Sequence, residues 1–310
     1  MTTTTRPQSS RSRWLKLVWI VPIVLVVGVL LVLAAQAFRS SAAGIDFLKT
    51  YPGRSELPAW APVGFPAWLE WQHFLSALFL LLIIRTGLQI RNTRRPPAYW
   101  TRKNTGILTT KNPPVRIGIS LWLHLTVDIL WILNGAVFYV LLFATGQWVR
   151  IIPVHWDVFP NAISAGIQYA SLTWPTEDGW SNYNALQLLT YFVTVFIAAP
   201  LAILTGVRMV PGLAGRFRKL DRIYPVAVAR RIHFPVMIYF LAFTVVHVTL
   251  VLATGALRNL NHMYAGRDDE SWVGFGIFAG SAILMVAAWI AVRPVIVGSL
   301  AALTGNVRRG

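Results

Sequence analysis

The sequence predicts an all-α polytopic membrane protein with six transmembrane helices. Three observations carry that prediction. The 310 residues are 55% hydrophobic and only 13% charged, about half of the roughly 25% charged residues that soluble domains carry. Several apolar runs reach the roughly 20 residues that a helix needs to cross the hydrocarbon core. Lys and Arg are concentrated in alternate loops, as membrane topology requires. The formal charge of +17 is therefore read as topogenic, and nucleic acid is not an expected partner.

Residues 1–13 are polar and basic and are expected to form a disordered cytoplasmic N-terminus, ahead of a single transmembrane domain over residues 14–310. The first span covers about 14–38. Its apolar run of about 20 residues exceeds the h-region of a signal peptide, so it is expected to be retained and not cut after Ala35-Gln36-Ala37. A Pro/Gly-punctuated loop leads to the second span, about 68–90, with His73 near its start and Arg85 near its end. The basic loop IRNTRRPPAYWTRKNTGILTTKNPPVR follows. The third span, about 117–145, carries His124 and Asp128 in its first turns. A long aromatic loop holds His155. The fourth span, about 183–209, has no histidine. The second basic loop, GRFRKLDRIYPVAVARR, enters the fifth span, about 230–256, which holds His233 and His247. The loop RNLNHMYAGRDDES, with His262, precedes the sixth span, about 272–296. No internal repeat and no separate soluble domain is evident.

The N-terminal stretch, the two basic loops and the tail hold 20 of the 28 Lys and Arg, counting Arg208 at the edge of the second loop. The opposite loops hold Arg39, Lys49, Arg54, Arg150, Arg258 and Arg267. The positive-inside rule then places both termini in the cytoplasm. Tryptophans cluster at span ends and in the outer loops, as an interfacial belt requires.

The absence of cysteine excludes disulfides, thiolate-held clusters and covalent haem attachment. Any redox cofactor must be held non-covalently, with histidine as the natural ligand. Alternating topology sorts the four intramembrane histidines by depth. His73 begins an inward-running helix, and His124 and His233 begin outward-running ones. His247 lies fourteen residues beyond His233, about 21 Å further along the axis and about 40° from the same face. Depth therefore pairs His73 with His247 outside and His124 with His233 inside. Two imidazole pairs at two depths meet the needs of two non-covalent, bis-histidine haem b groups stacked across a membrane. Gly87 lies fourteen residues after His73 and Gly135 eleven after His124. Each falls on its histidine's face, near the depth of the other pair, where a side chain would meet the macrocycle. Zinc fits less well, because one pair per level lacks the three or four ligands of zinc sites.

Other polar residues carry paired readings. Arg85 is expected either to meet a haem propionate or to snorkel to the interface. Arg230 and Arg231 are read as topogenic in preference to propionate partners. Asp128, one turn after His124, is a candidate for quinone protonation, for a hydrogen bond to an imidazole, or for pairing with an arginine. His155 and His262 are read as surface residues, with an outer quinone or partner site as a second role for His262. Asp268, Asp269 and Glu270 read as a solvated acidic run.

The stretches WLEWQHFLSALFLLLIIRTGLQIR, WLHLTVDILW, YNALQLLTYFVTVFIAAPLAILTG and RRIHFPVMIYFLAFTVVHVTLV resemble the bacterial cytochrome b561-like, nickel-hydrogenase-type dihaem cytochrome b family, over about residues 65–262. Its thiosulfate reductase cytochrome b branch is the most similar. The resemblance implies a four-helix haem-binding core and places the axial ligands on the first, second and fourth core helices, at His73, His124, His233 and His247. It further implies a bacterial inner-membrane subunit that carries electrons between a membrane quinone and a peripheral oxidoreductase subunit, one containing molybdopterin. Substrate chemistry would then reside in that partner. The extra first span starts the His73 helix outside, whereas four-helix family members start inside. The rival readings are a transporter or proton channel using its intramembrane histidines, and a stand-alone quinol-linked reductase.

Overall fold

A segment in hydrocarbon must satisfy its backbone hydrogen bonds internally, so the apolar runs become helices. The computed structural model describes residues 11–105, 109–174, 178–212 and 218–310. The order begins with α1 (Arg11–Ser40), α2 (Ala42–Thr50) and α3 (Ala67–Asn92), then strands β1 (Ala98–Arg102) and β2 (Ile117–Gly118). α4 (Ile119–Ala144), a 3₁₀ turn (Gln147–Arg150) and α5 (Val158–Ala170) follow. Next come α6 (Ala185–Phe192), a π-helical turn (Val193–Ala198), α7 (Ala199–Met209), α8 (Arg218–Ile223) and α9 (Val226–Ala253). The chain closes with α10 (Ala256–Ala265), α11 (Val273–Ala291), α12 (Pro294–Ala302) and β3 (Gly305–Arg309). Among the described residues six helices are long and apolar enough to cross a membrane: Val18–Ser40, Ala67–Asn92, Ile119–Ala144, Ala185–Met209, Val226–Ala253 and Val273–Ala291. The predicted fold class holds.

Several boundaries differ from the sequence reading for local reasons. The expected disordered N-terminus falls, for residues 1–10, outside the described residues, while Arg11 already begins α1. The fifth span starts four residues earlier than expected, because Pro225 caps α9 in an extended conformation and Val226 onward is helical. It ends where Gly255 takes φ +131, a backbone that other residues rarely adopt. The sixth span is shorter than predicted. Arg293 is extended, as a residue before proline must be, and Pro294 opens α12 as a new helix.

The described residues cluster into two units. The first draws on Met1–Glu56, Val154–Glu177 and Asn184–Leu189. Its core is Val158, Ala162, Ala185 and Leu188. Asn161 ties it together: Oδ1 accepts from the Gly53 N–H at 2.9 Å, and Nδ2 donates to the Asp157 carbonyl at 2.9 Å. Gln36 and Arg39 of α1 donate to Ser171 at 3.3 and 2.9 Å.

The second unit draws on Leu57–Pro153, Asp178–Tyr183 and Thr190–Gly310. In it α3 packs on α4, α7 on α9, and α10 on α11. Trp131 of α4 meets Phe240 of α9 edge-to-face at 6.1 Å, beside a core of Ala198, Val236 and Phe240. The π turn resolves the backbone ahead of Pro200. The Ala199 N–H bonds back to the Thr194 carbonyl, which frees the Val195 carbonyl from its usual partner, and the Tyr139 hydroxyl donates to it at 2.6 Å. The first basic loop supplies β1, and β2 takes the first two residues of the predicted third span. With β3 from the chain's far end they form an antiparallel sheet in the order β2-β1-β3, with Trp100 opposite both Ile117 and Val307.

Candidate functional site

α3 and α9 bring two of the four intramembrane histidines close together. The rings of His73 and His247 lie 6.2 Å apart between centroids, at 57° between planes. Their surroundings are aromatic. Phe243, one turn before His247, stacks on it at 5.4 Å and 8°, and Tyr191 meets it edge-on at 6.1 Å. Tyr264 of α10 stands perpendicular to His73 at 6.0 Å. His73 Nδ1 is buried with no hydrogen-bond partner.

The other two histidines are held differently. Thr86 Oγ lies 2.8 Å from His124 Nδ1, and Thr205 Oγ lies 2.8 Å from His233 Nδ1. Each hydroxyl also donates back along its own helix, Thr86 to the Leu82 carbonyl at 2.8 Å and Thr205 to the Leu201 carbonyl at 2.7 Å. Each threonine is followed by a glycine. A Cβ on Gly87 would come 3.5 Å from His124 Cε1, and one on Gly206 would come 3.6 Å from His233 Cε1. The two histidines share a depth: Trp131 and Phe240, which touch, each lie seven residues after their helix's first histidine. Asp128 Oδ2 stands 3.6 Å from His124 Nε2, beyond hydrogen-bonding distance.

Half-buried imidazoles in two sets, with aromatic and apolar neighbours, are the donor chemistry of haem ligation. The His73–His247 set offers a direct test of fit. A metal held in line between two imidazoles places their ring centres about 6 Å apart, from two bonds of roughly 2 Å and about 1 Å from each nitrogen to its ring centre. The His73–His247 spacing of 6.2 Å meets that condition. No group of three or more His, Cys, Asp or Glu able to hold a metal ion occurs among the described residues.

The remaining candidates fall in distinct places. Arg85 donates to the Val292 carbonyl at 2.9 Å and lies over the Trp289 ring at 4.7 Å, with Nη1 buried and unpartnered. Gly135 faces open space. Arg230, Arg231 and His155 are exposed. His262 is not the surface residue expected. It is 3% exposed, because its ring packs against Trp180 at 5.3 Å and Phe65 at 6.0 Å. Asp268 is likewise engaged, accepting from His262 Nε2 and from Arg258 Nε, both at 2.7 Å. Those bonds, the Arg258 one foremost, hold its carboxyl down to about 2.

Sequence reasoning missed Thr86, Thr205, Gly206 and the buried Arg150. The signal for the first three was present as RTG at 85–87 and LTG at 204–206. Arg150 is 1% exposed. It donates to the Gly64 carbonyl at 2.8 Å, the Trp180 carbonyl at 3.2 Å and the Gly179 carbonyl, and lies over the Phe65 and Tyr183 rings. Burial pushes the Tyr183 phenol up, partly offset by that guanidinium.

Membrane-spanning helices that carry paired imidazole donors, in a chain without cysteine, point to a class: membrane proteins that hold haem to move electrons. Within it, residues 64–266 match the family model of prokaryotic cytochrome b561, and the chain belongs to that family. It is a multi-pass bacterial membrane protein of electron transfer, and b-type haem is the group that its family binds. No curated protein and no solved structure matches the chain.

Proposed function

We propose that this cytochrome carries two haem b groups, one between His73 and His247 and one between His124 and His233. It would serve as the membrane subunit of a larger oxidoreductase. Haem b supplies reversible one-electron chemistry when bound. The chain's own residues hold and orient the imidazoles, exclude water through the aromatic and apolar walls, and separate the two sites by the fourteen residues between His233 and His247, about 21 Å of helix. Electrons would pass between a quinone in the bilayer and a peripheral partner subunit. The resemblance to the thiosulfate reductase branch would make that partner a molybdopterin-containing one, and the excess of Lys and Arg in alternate loops supports cytoplasmic termini.

The observation that carries this reading is the close approach of the His73 and His247 rings, with His233 on the same helix as His247 and His124 at the matching depth. The test is a reduced-minus-oxidised visible spectrum of the purified protein with haem counted per chain. Two low-spin b haems per chain are expected. A protein purified without haem would return the four histidines to a proton pathway or to helix packing.

A further inference from the structure

The duplicated contact between a threonine and an imidazole has a consequence for the electronics of one histidine pair. A hydroxyl carries one proton. Thr86 Oγ sits 2.8 Å from the Leu82 carbonyl, 3.1 Å from the Ile83 carbonyl and 2.8 Å from His124 Nδ1. A carbonyl oxygen can only accept. If the hydroxyl donated to the imidazole, its lone pairs would be set against the Leu82 oxygen. If it donates to Leu82 and His124 Nδ1–H donates to it, both contacts are attractive. The same reasoning applies to Thr205, at 2.7 Å from the Leu201 carbonyl, 3.0 Å from the Ala202 carbonyl and 2.8 Å from His233 Nδ1. Both rings therefore carry the proton on Nδ1 and present Nε2 as the bare nitrogen. The 3.6 Å gap between His124 Nε2 and Asp128 Oδ2 is what two facing acceptors would keep.

Ordinary threonines in membrane helices also bond back to the preceding turn. Thr126, Thr244 and Thr249 do so here. Thr86 and Thr205 differ from these in three respects. Both are fully buried at 0% exposure, both reach an imidazole, and both precede a glycine that lets the helix backbone approach that imidazole. The two occurrences lie on different helices and serve different histidines, so each supports the other.

We propose that Thr86 and Thr205 are positioning residues that fix the tautomers of His124 and His233 and make theirs the lower-potential of the two haem sites. This rests on the reading that each histidine pair holds a haem. A hydrogen bond accepted from the far ring nitrogen makes an imidazole a more basic ligand, which favours the oxidised metal. The His73–His247 pair lacks this device at His73, whose Nδ1 has no partner, and relies on aromatic packing instead. One chain thus holds two sites of the same ligand type with different electron affinities, set by two hydroxyls.

The test is potentiometry of the purified holoprotein followed in the visible spectrum, with ferric low-spin EPR as a second readout. The wild type should resolve two components. Thr86→Val and Thr205→Val, which keep shape and remove the hydroxyl, should each raise the lower potential and alter one EPR signal, leaving the other component in place. Thr86→Ser and Thr205→Ser should behave as wild type. Two haems per chain with unmoved potentials in both valine variants would overturn the proposal while leaving the cytochrome reading intact. If a valine variant loses one haem, the serine variant decides. Two haems at wild-type potentials support the hydroxyl's role, and loss of haem there too overturns it in favour of methyl packing.

Discussion

The two histidine levels are built from the same ligand type by opposite means. At one level, His124 and His233 are each held by a hydrogen bond from Nδ1 to a buried threonine, with a glycine making room for the ring. At the other, His73 and His247 are oriented by Phe243, Tyr191 and Tyr264, and His73 Nδ1 is left without a partner. Hydrogen bonds fix direction and tune a donor nitrogen, while aromatic faces fix position and leave that nitrogen unpolarised. The same contrast explains the tolerance of each level. The threonine level leaves room for a methyl, and little more, between a helix backbone and a ring. The aromatic level depends on side-chain volume.

That contrast can be broken most sharply at the glycines. Gly206→Val should displace His233 and remove one haem of two, measured as haem per chain. Gly206→Ala should leave both, because its Cβ would meet His233 Cε1 at an ordinary 3.6 Å. Next in size is Arg150→Gln in the loop cap, which takes the guanidinium donor from the Gly179 carbonyl and from those of Gly64 and Trp180, the last two keeping the Gln147 Nε2 and the Gly64 N–H as donors. A loss of stability on the order of 3 kcal/mol is expected, read from thermal unfolding in detergent with the spectrum of the threonine level unchanged before unfolding. Phe243→Leu should have a smaller effect, about 1 kcal/mol from the lost ring stacking, and should broaden or shift the spectral component of the aromatic level alone. The smallest effect concerns acid. Asp268 is held down to about 2 by Arg258 and His262. Its contribution is therefore fully present above the ordinary carboxylate range and lost as pH falls from about 4 toward 2. Asp268→Asn should flatten that acid limb of the stability curve and leave stability at neutral pH only slightly reduced.

Much of this architecture was legible in the residues. The six spans follow from apolar length, and the nearness of His73 and His247 was expected from the loop charges and the fourteen-residue interval between His233 and His247. What was not legible depends on contacts distant in sequence. β1 lies after Pro96-Pro97 in a basic loop, and its partner β3 is some two hundred residues away, so no local pattern announced a sheet. His262 looked like a loop residue, and its burial comes from Phe65 and Trp180 closing over it. Thr86 and Thr205 read as unremarkable helix threonines. Only the helix–helix approach shows that each lies under an imidazole, although the repeated Thr-Gly pair was the available clue.

The pairing itself is tested most directly by counting haem in two double variants. His73→Ala with His247→Ala removes both donors of one level, so that protein should keep one haem per chain. His73→Ala with His124→Ala removes one donor from each level and should keep none. One haem retained in the second variant, or none in the first, would contradict the account of two levels.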